Sequence, residues 1–211
     1  DIIGRSLEAD FVVVYNPQTG LFRGESSFID WREQSYPVWA QPADIYMSEC
    51  LGTNAAYYGV LKVMEDMATV LGKKKDVKKY GQKAEALKKA INDNFWVEED
   101  GYYASYLYGR QNLTRTQQSE TLGESFCVLF GIADEERAAK VISSMPVGEF
   151  GPPIFSPQIV LQPDYHNNGV WPYVTSFWGK AAAKVGNETA LMHALACNVR
   201  TASIYATNYE N

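Results

Sequence analysis

The sequence predicts an all-α fold in which antiparallel αα-hairpins stand side by side as part of a helical toroid. Apolar residues recur at the helical period in six stretches of the 211-residue chain. The links between these stretches alternate, so that a link of a few residues is followed by a long one, 96–118 or 145–171. Because short links join antiparallel helices, the long segments all fall at the opposite end of the hairpins, where loops can assemble a site.

The first hairpin follows a segment that has a strand pattern. Segments 11–14 and 21–28 flank the turn sequence NPQTG at 16–20, which is typical of two short strands around a turn. Helices are then predicted over 50–71, where Gly72 is a natural stop, and over 76–95. Segments 95–97 and 102–103 around EEDG at 98–101 predict a β-hairpin.

The second and third hairpins have recognisable starts and stops. A helix over 119–130 is followed by a short helix that Asp134 caps and Pro146 ends. Pro172 opens the fifth helix at a favoured first-turn position, Gly186 ends it, and Asn187 caps the last helix. A closed toroid needs more hairpins than these three, so we expect a partial chain with about half of the toroid. We divide it into a strand and loop segment, 1–43, and the hairpin region, 44–211.

Composition and charge exclude several classes of function. The chain carries 19 Lys and Arg against 25 Asp and Glu, a net charge of −6 without a basic stripe, which argues against nucleic acid or an anionic membrane as partner. No apolar run reaches the roughly 18 residues of a membrane span. The three cysteines are widely spaced and only two histidines are present, so we expect no disulfide framework, no metal site and no cofactor.

Aromatic residues make up 13% of the chain, and many of its 14 tyrosines and 5 tryptophans lie beside Gly, Asn or Pro instead of within apolar helical runs. Aromatic rings fill cores, which is their commonest use. Their faces also stack on sugar rings, so this placement makes a carbohydrate site a reasonable second interpretation.

The densest group of chemically active side chains lies in segment 24–37. Glu25, Asp30 and Glu33 fall within a few residues of Trp31 and Arg32. Desolvation raises the pKa of a carboxyl group and a guanidinium lowers it, so such a group can supply both an acid and a base for cleaving a glycosidic bond. The alternative is a structural brace in which Arg32 pairs with Glu25 or Glu33.

Two further segments offer polar and aromatic side chains. Segment 165–172 combines ring-stacking surfaces with hydrogen-bonding groups around Gly169, although His166 beside an asparagine is more often a loop-forming residue. Glu120 and Glu124 at the start of the third helix are four residues apart and share a face. They could instead complement the helix dipole.

These motifs resemble those of a known enzyme group. The sequence ESSFIDW at 25–31 resembles the signature of inverting six-hairpin, (α/α)6-toroid glycosidases, which include processing α-glucosidases and trehalases. YHNNGVWP at 165–172 is similar to a segment of the same group and of glycogen-debranching glucosidases, with two asparagines where one is usual. FW and EEDGYY at 95–103 resemble a hairpin found between toroid helices. The resemblance extends over most of the chain from Tyr15 onward.

The resemblance implies roles for individual residues. Asp30 would be the general acid, with Glu25 and Glu33 as neighbouring competitors, and Glu210 in the terminal sequence NYEN would be the general base. In inverting enzymes the two carboxyl groups stand about 6.5–9.5 Å apart, which leaves room for the attacking water. The residues that the resemblance places at the sugar sites are Trp31, Tyr36, Tyr165, His166, Asn168 and Trp171. The motifs above add Arg32 and Glu120 as substrate-binding residues.

The sequence is compatible with three functions. The first is a glycoside hydrolase acting on α-linked gluco- or manno-oligosaccharides, with the rest of the toroid as its structural partner and an extracytoplasmic location. The second is a polysaccharide lyase, for which Tyr165, His166 and Asn168 are suitable, although polyuronates usually need a basic groove that is missing near these loops. The third is a non-catalytic glycan-binding module.

Overall fold

Three helical hairpins form most of the computed structural model, which describes residues 2–25, 35–110, 112–162 and 165–207. They consist of α3 (Leu51–Val70) with α4 (Lys74–Phe95), α5 (Thr121–Leu129) with α6 (Glu135–Ser144), and α7 (Pro172–Lys184) with α8 (Glu188–Tyr205). Helix α5 packs between α3 and α7, while α4 packs on α3 and α8 packs on α7. The predicted all-α hairpin fold of a partial toroid is confirmed.

The short links have the local features that the sequence predicts. Gly72 follows α3 with a φ of +68° in the left-handed region, where glycine carries no Cβ penalty. Asp134 Oδ1 accepts a hydrogen bond of 2.9 Å from the Arg137 amide at the start of α6. Asn187 Oδ1 accepts one of 3.0 Å from the Ala190 amide at the start of α8. These caps satisfy amides that the first helical turn leaves without partners.

The beginning of the chain differs from the prediction. Residues 11–14 were expected to form a strand, but α1 extends over Ile2–Val13, and the strands that follow it, β1 (Tyr15–Asn16) and β2 (Leu21–Phe22), are only two residues long. Leu7 is buried, and the Phe11 ring contacts Phe22 with centroids 4.9 Å apart. This four-residue spacing faces the core at the helical period, so the strand prediction, which followed the run of valines at 12–14, is wrong.

Short strands at the other end of the hairpins precede two of the central helices. β3 (Glu49–Cys50) leads directly into α3, and β8 (Ser119–Glu120) leads directly into α5. Trp171 has an extended backbone immediately before α7. A further helix and strands complete this end: α2 (Pro42–Met47), β4 (Trp96–Val97), β5 (Tyr102–Tyr103), β6 (Tyr106–Tyr108), β7 (Thr114–Arg115) and β9 (Phe155–Ser156).

The pairing of these strands ties the loops to the helix starts. β6 lies between β3 and β7, β8 pairs with β9, and all these pairs are antiparallel. β4 and β5 pair with Trp96 opposite Tyr103, which confirms the predicted hairpin between α4 and α5. The amino-terminal ends of α3, α5 and α7 therefore all face one group of loops, as the alternation of link lengths predicts.

The core runs between the helices and is densest around α5, where every residue from Thr121 to Val128 is buried. Leu61 of α3, Ile91 of α4 and Val174 of α7 are fully enclosed in the same cluster. Cys50, Cys127 and Cys197 are buried free thiols. Within the described ranges, no helix is both long enough and apolar enough to cross a membrane.

Candidate active site

Ionisable side chains are buried at the loop end of the three central helices. Glu49, Glu120, Glu124 and His166 each expose no more than 1% of their surface. Burying such groups costs free energy unless hydrogen bonds or a change of protonation compensate. Because four such groups lie in one region, the loop end is the candidate functional site.

Glu124 lies in the first turn of α5 and is held in its protonated form near neutral pH. Its Oε1 accepts a hydrogen bond of 2.8 Å from the Tyr103 amide. Burial raises the pKa of Glu124 from its ordinary 4.5 to about 8; the Tyr103 amide opposes this rise, and the Glu120 carboxylate adds to it. Glu124 is thus a buried carboxylic acid next to a second carboxyl group.

Glu120 lies at the start of α5, near the start of α3. It is the residue before α5 and pairs with Phe155 in the ladder between β8 and β9. Its carboxylate is close enough to Cys50, the residue before α3, to contribute to the elevated pKa of that thiol. Burial is the main cause of that elevation, which takes the pKa of Cys50 to about 12.

Glu49 is a buried carboxyl group that the sequence reasoning missed. Its Oε1 accepts hydrogen bonds from Asn16 Nδ2 at 2.7 Å and from Thr19 Oγ1 at 2.9 Å. Burial raises the pKa of Glu49, and these two donors oppose the rise. The turn at 16–20 carried a signal, because an asparagine and a threonine within a turn are suited to binding a neighbouring carboxylate.

The segment expected to carry the general acid is anchored on both sides at the start of α3. On its first side, the Gly24 amide donates to the Ser48 carbonyl at 2.7 Å, and Thr53 Oγ1 donates to the Glu25 carbonyl at 2.7 Å. On its second side, the Tyr36 hydroxyl lies 3.2 Å from Cys50 Sγ. The anchors therefore converge on residues 48–53.

Five of the residues proposed for catalysis and binding lie outside the described residues. They are Asp30, Trp31, Arg32, Glu33 and Glu210.

Segment 165–171 contacts Ser35, which follows the segment expected to carry the general acid. Ser35 Oγ lies 3.0 Å from His166 Nδ1. The ring of His166 is 5.0 Å from the rings of both Tyr165 and Trp171, and the rings of those two residues are 5.4 Å apart, measured between centroids. Tyr165, His166 and Trp171, which the sequence analysis selected for sugar binding, thus form one aromatic cluster that Ser35 connects to Tyr36.

The two neighbouring asparagines have different environments. Asn167 is buried; its Oδ1 accepts from the Ile159 amide at 2.7 Å, and its Nδ2 donates to the carbonyls of Ile159 and Gln162 at 3.0 and 3.1 Å. Asn168 is exposed, with a left-handed φ of 60°. Asn167 organises the loop, a role that the sequence analysis did not assign, while the proposed substrate contact of Asn168 stays a prediction.

The arrangement offers buried carboxyl groups, aromatic rings and hydroxyl groups, which suit a neutral polyhydroxylated ligand better than a metal. Within the described ranges, no three His, Cys, Asp or Glu side chains are grouped closely enough to hold a metal ion. The chain's relation to known proteins agrees with this chemistry. Residues 10–147 match the family model of the bacterial α-L-rhamnosidase six-hairpin glycosidase domain. The chain belongs to this family.

Solved structures share the fold of this six-hairpin domain. A family GH78 rhamnosidase of Bacillus sp. GL1 is 19% identical with a TM-score of 0.65, and the match covers 97% of this chain and 19% of that chain. A rhamnosidase from Klebsiella oxytoca with rhamnose bound is 15% identical, with a TM-score of 0.59 and coverage of 92% and 31%. The neutral trehalase Nth1 of Saccharomyces cerevisiae is 13% identical, with a TM-score of 0.65 and coverage of 79% and 35%.

The chain thus spans between a fifth and about a third of the length of these structures. A comparison with curated protein sequences gives no match. The family assignment confirms the resemblance to six-hairpin glycosidases that the motifs at 25–31 and 165–172 indicated. It also accounts for the helix packing, because α3, α5 and α7 each begin one of three neighbouring hairpins.

Proposed function

We propose that this six-hairpin domain belongs to a glycoside hydrolase that cleaves an α-linked sugar with inversion of the anomeric configuration. The observation that carries the proposal is the gathering of buried carboxyl groups and aromatic rings at the loop end of α3, α5 and α7. The segment that contains the acid motif is anchored at this same end through Ser48 and Cys50. This is the environment in which one carboxyl group can stay protonated while another is ionised.

The proposed mechanism uses two carboxyl groups on opposite faces of the sugar. Asp30 donates its proton to the glycosidic oxygen as the bond to the anomeric carbon breaks. A water molecule adds to that carbon from the other face and gives its proton to the base, for which Glu210 is the candidate, while Glu33 is an alternative to Asp30 as the acid. The rings of Tyr36 and Trp171 are proposed to line the sugar sites.

The other proposed binding residues complete this site. They are Trp31, Arg32, Glu120, Tyr165, His166 and Asn168.

For the sugar itself, we propose an α-L-rhamnoside as the first candidate, because the matching family model is named for α-L-rhamnosidases. The α-linked gluco- or manno-oligosaccharides expected from the sequence motifs are the second candidate, supported by the fold shared with a trehalase. Both candidates are neutral, which fits a loop end with buried carboxyl groups better than a polyuronate does.

We also propose that further helices of the same toroid cover two apolar faces of this chain. One face lies on α3 and consists of the exposed Val60, Val63, Met67 and Val70. The other lies on α8 and consists of the exposed Met192, Leu195 and Val199. Residues at these spacings share one side of a helix, and contiguous exposed apolar surface is typical of a protein interface.

Proton NMR of the full gene product with α-L-rhamnosides, α-D-glucosides and α-D-mannosides tests the function. We expect the first sugar released to be the β-anomer, and Asp30→Asn to abolish release while sugar binding survives. Asp93→Asn, at an exposed position of α4, serves as the matched control and should leave turnover unchanged.

Four results would contradict the proposal. Initial release of the α-anomer excludes inversion, and wild-type turnover in Asp30→Asn excludes Asp30 as the acid. Formation of a new carbon–carbon double bond in uronate polymers, with no hydrolysis of the neutral panel, would instead establish a lyase. Binding of sugar without any turnover would establish a glycan-binding module.

A further inference from the structure

A small aromatic pocket opens beside Tyr36, and its other lining residues have no role in the proposed mechanism. It has a volume of about 120 Å³, and its aromatic lining consists of Tyr36, Trp39, Tyr106 and Tyr108. A cavity of this size holds several waters, and a sugar ring can enter it in part while the rest of the ring stays in solvent. It lies between α2 and β6, which separates it from the rings of segment 165–171.

The pocket has a closed floor and an open wall. The rings of Tyr36 and Tyr106 form the floor, with centroids 4.9 Å apart, and both side chains are buried. Trp39 forms the wall with Tyr108 at 5.6 Å between centroids, yet Trp39 exposes 54% of its surface. The Trp39 ring is therefore outside the buried core of this chain and is accessible to a ligand that enters the pocket.

A charged pair lies beside these rings. Arg110 Nε donates to Asp44 Oδ1 at 2.8 Å, and Asp44 also lines the pocket. Asp44 Oδ2 accepts from the Gln41 amide, which fixes the carboxylate at the start of α2. A carboxylate next to a guanidinium offers an acceptor and donors at neighbouring positions, which matches the adjacent hydroxyl groups of a pyranose.

Two residues connect the pocket to the candidate active site. Tyr36 lines the pocket, and its carbonyl accepts a hydrogen bond from Gln162 Nε2 in the loop that leads to the aromatic cluster. Ser35, the preceding residue, contacts His166 of that cluster. A ligand at the aromatic cluster and a ligand in the pocket would therefore both lie next to residues 35–36.

We propose that this pocket is an additional sugar-binding subsite, which holds one neutral pyranose unit of the substrate beyond the bond that is cleaved. The sugar stacks one apolar face on Trp39 and Tyr108 and directs two hydroxyl groups to Asp44 and Arg110. Since the carboxylate and guanidinium neutralise each other, the site favours a neutral sugar over a uronate. This inference rests on the proposed glycosidase function and extends it to the recognition of longer substrates.

The test compares substrates with and without the additional sugar in the full gene product. Trp39→Ala should raise the KM for a trisaccharide about tenfold, the size of effect expected when one stacking contact is lost, and leave kcat nearly unchanged. A glycosyl fluoride of the same terminal sugar has no sugar beyond the cleaved bond. Its KM should therefore be unchanged in Trp39→Ala. Tyr46→Ala is the matched control, since Tyr46 is equally exposed at 54% and lies in α2 outside the pocket lining.

A direct binding measurement separates this inference from the proposed function. The ligand is the part of the trisaccharide that lies beyond the cleaved bond, and its binding is measured by saturation-transfer NMR. We expect binding to the wild type and an affinity about tenfold lower in Trp39→Ala and in Arg110→Gln. If no substrate is cleaved but this Trp39-dependent binding persists, the proposed function fails and the subsite stands.

Two results would overturn the subsite. The first is cleavage of the trisaccharide with equal KM in the wild type, Trp39→Ala and Tyr108→Ala. The second is the finding that Trp39 is covered in the full gene product, measured as the difference in acrylamide quenching between the wild type and Trp39→Phe. In that case, another part of the polypeptide occupies the pocket.

Discussion

The two ends of the helical hairpins are built on different principles. At the short-link end, Gly72 ends one helix, and the side chains of Asp134 and Asn187 cap others, so each group is satisfied by residues a few positions away. At the loop end, Glu124 and His166 are buried, and their side chains are connected to Tyr103 and Ser35, which lie 21 and 131 positions away. Burial of such groups costs stability, and proteins retain this cost mainly where function requires the groups, so the difference indicates which end carries the chemistry.

A pair of glycine substitutions should give the largest contrast between the two ends. A Cβ on Gly169 would overlap the carbonyl oxygen of Tyr165 and come within 3.2 Å of Trp171 Nε1, whereas a Cβ on Gly72 would meet nothing within 4 Å. We expect Gly169→Ala to lower the free energy of unfolding by about 3 kcal/mol or more. Gly72→Ala, which has only its positive φ to strain it, should cost about 1 kcal/mol.

Denaturant titration of both variants measures this contrast. Gly169→Ala should also lose sugar binding, because Tyr165 and Trp171 belong to the aromatic cluster, while Gly72→Ala should bind as the wild type does. Equal losses of stability in the two variants would show that the loop around Gly169 has room to relax, and the contrast between the ends would then be wrong.

Asn167 and Asn168 allow the effects of a buried and an exposed side chain to be compared within the loop end. Asn167→Ala leaves the buried backbone groups of Ile159 and Gln162 without their hydrogen bonds, so we expect a loss of about 2–3 kcal/mol in the free energy of unfolding. Asn168→Gly is the control; glycine adopts the left-handed φ of this position without strain, and stability should be unchanged or slightly higher. The reverse order of stabilities would mean that Asn168 holds the loop.

Glu124 makes the loop end sensitive to pH. Its folded pKa of about 8 is raised above its ordinary 4.5, so the folded protein binds a proton that the unfolded chain has lost between these values. The contribution of Glu124 to stability is therefore fully present below pH 4.5 and is lost as the pH rises toward 8. We expect Glu124→Gln to flatten the decline in stability between pH 5 and pH 8.

Thermal unfolding at several pH values between 5 and 8 is the measurement. Glu99→Gln, in the exposed turn after β4, is the control and should leave the pH profile of the wild type in place. A profile that is equally steep in Glu124→Gln would assign the pH dependence to other groups.

The contrast between the ends also explains what could be predicted from sequence. Helix periodicity, Gly72 and the cap residues act over a few positions, so the hairpins and their short links could be inferred directly. The helix over 2–13 could not, because Val12 and Val13 favour a strand locally while the packing of Leu7 and Phe11 decides the outcome.

In the candidate site, too, only the features that act over a few positions could be inferred from the sequence. Tyr165, His166 and Trp171 were found because they lie within seven residues of one another, as an aromatic motif. The hydrogen bond between Asn16 and Glu49 joins residues 33 positions apart, and Trp39 meets Tyr108 across a still longer separation. No local pattern marks such pairs, since the strand pairing and helix packing bring them together only in the folded chain.

The smallest expected effect belongs to the short-link end. Asn187→Ala removes the side-chain acceptor for the Ala190 amide at the start of α8, and we expect a loss of about 1 kcal/mol, as is typical for a helix cap. Asn187→Asp retains an acceptor at this position and should restore the stability. Because the cap lies far along the hairpin from the loop end, kcat and KM should not change in either variant. A change in KM with stability restored would mean that the two ends are coupled, and the division between a structural and a chemical end would have to be abandoned.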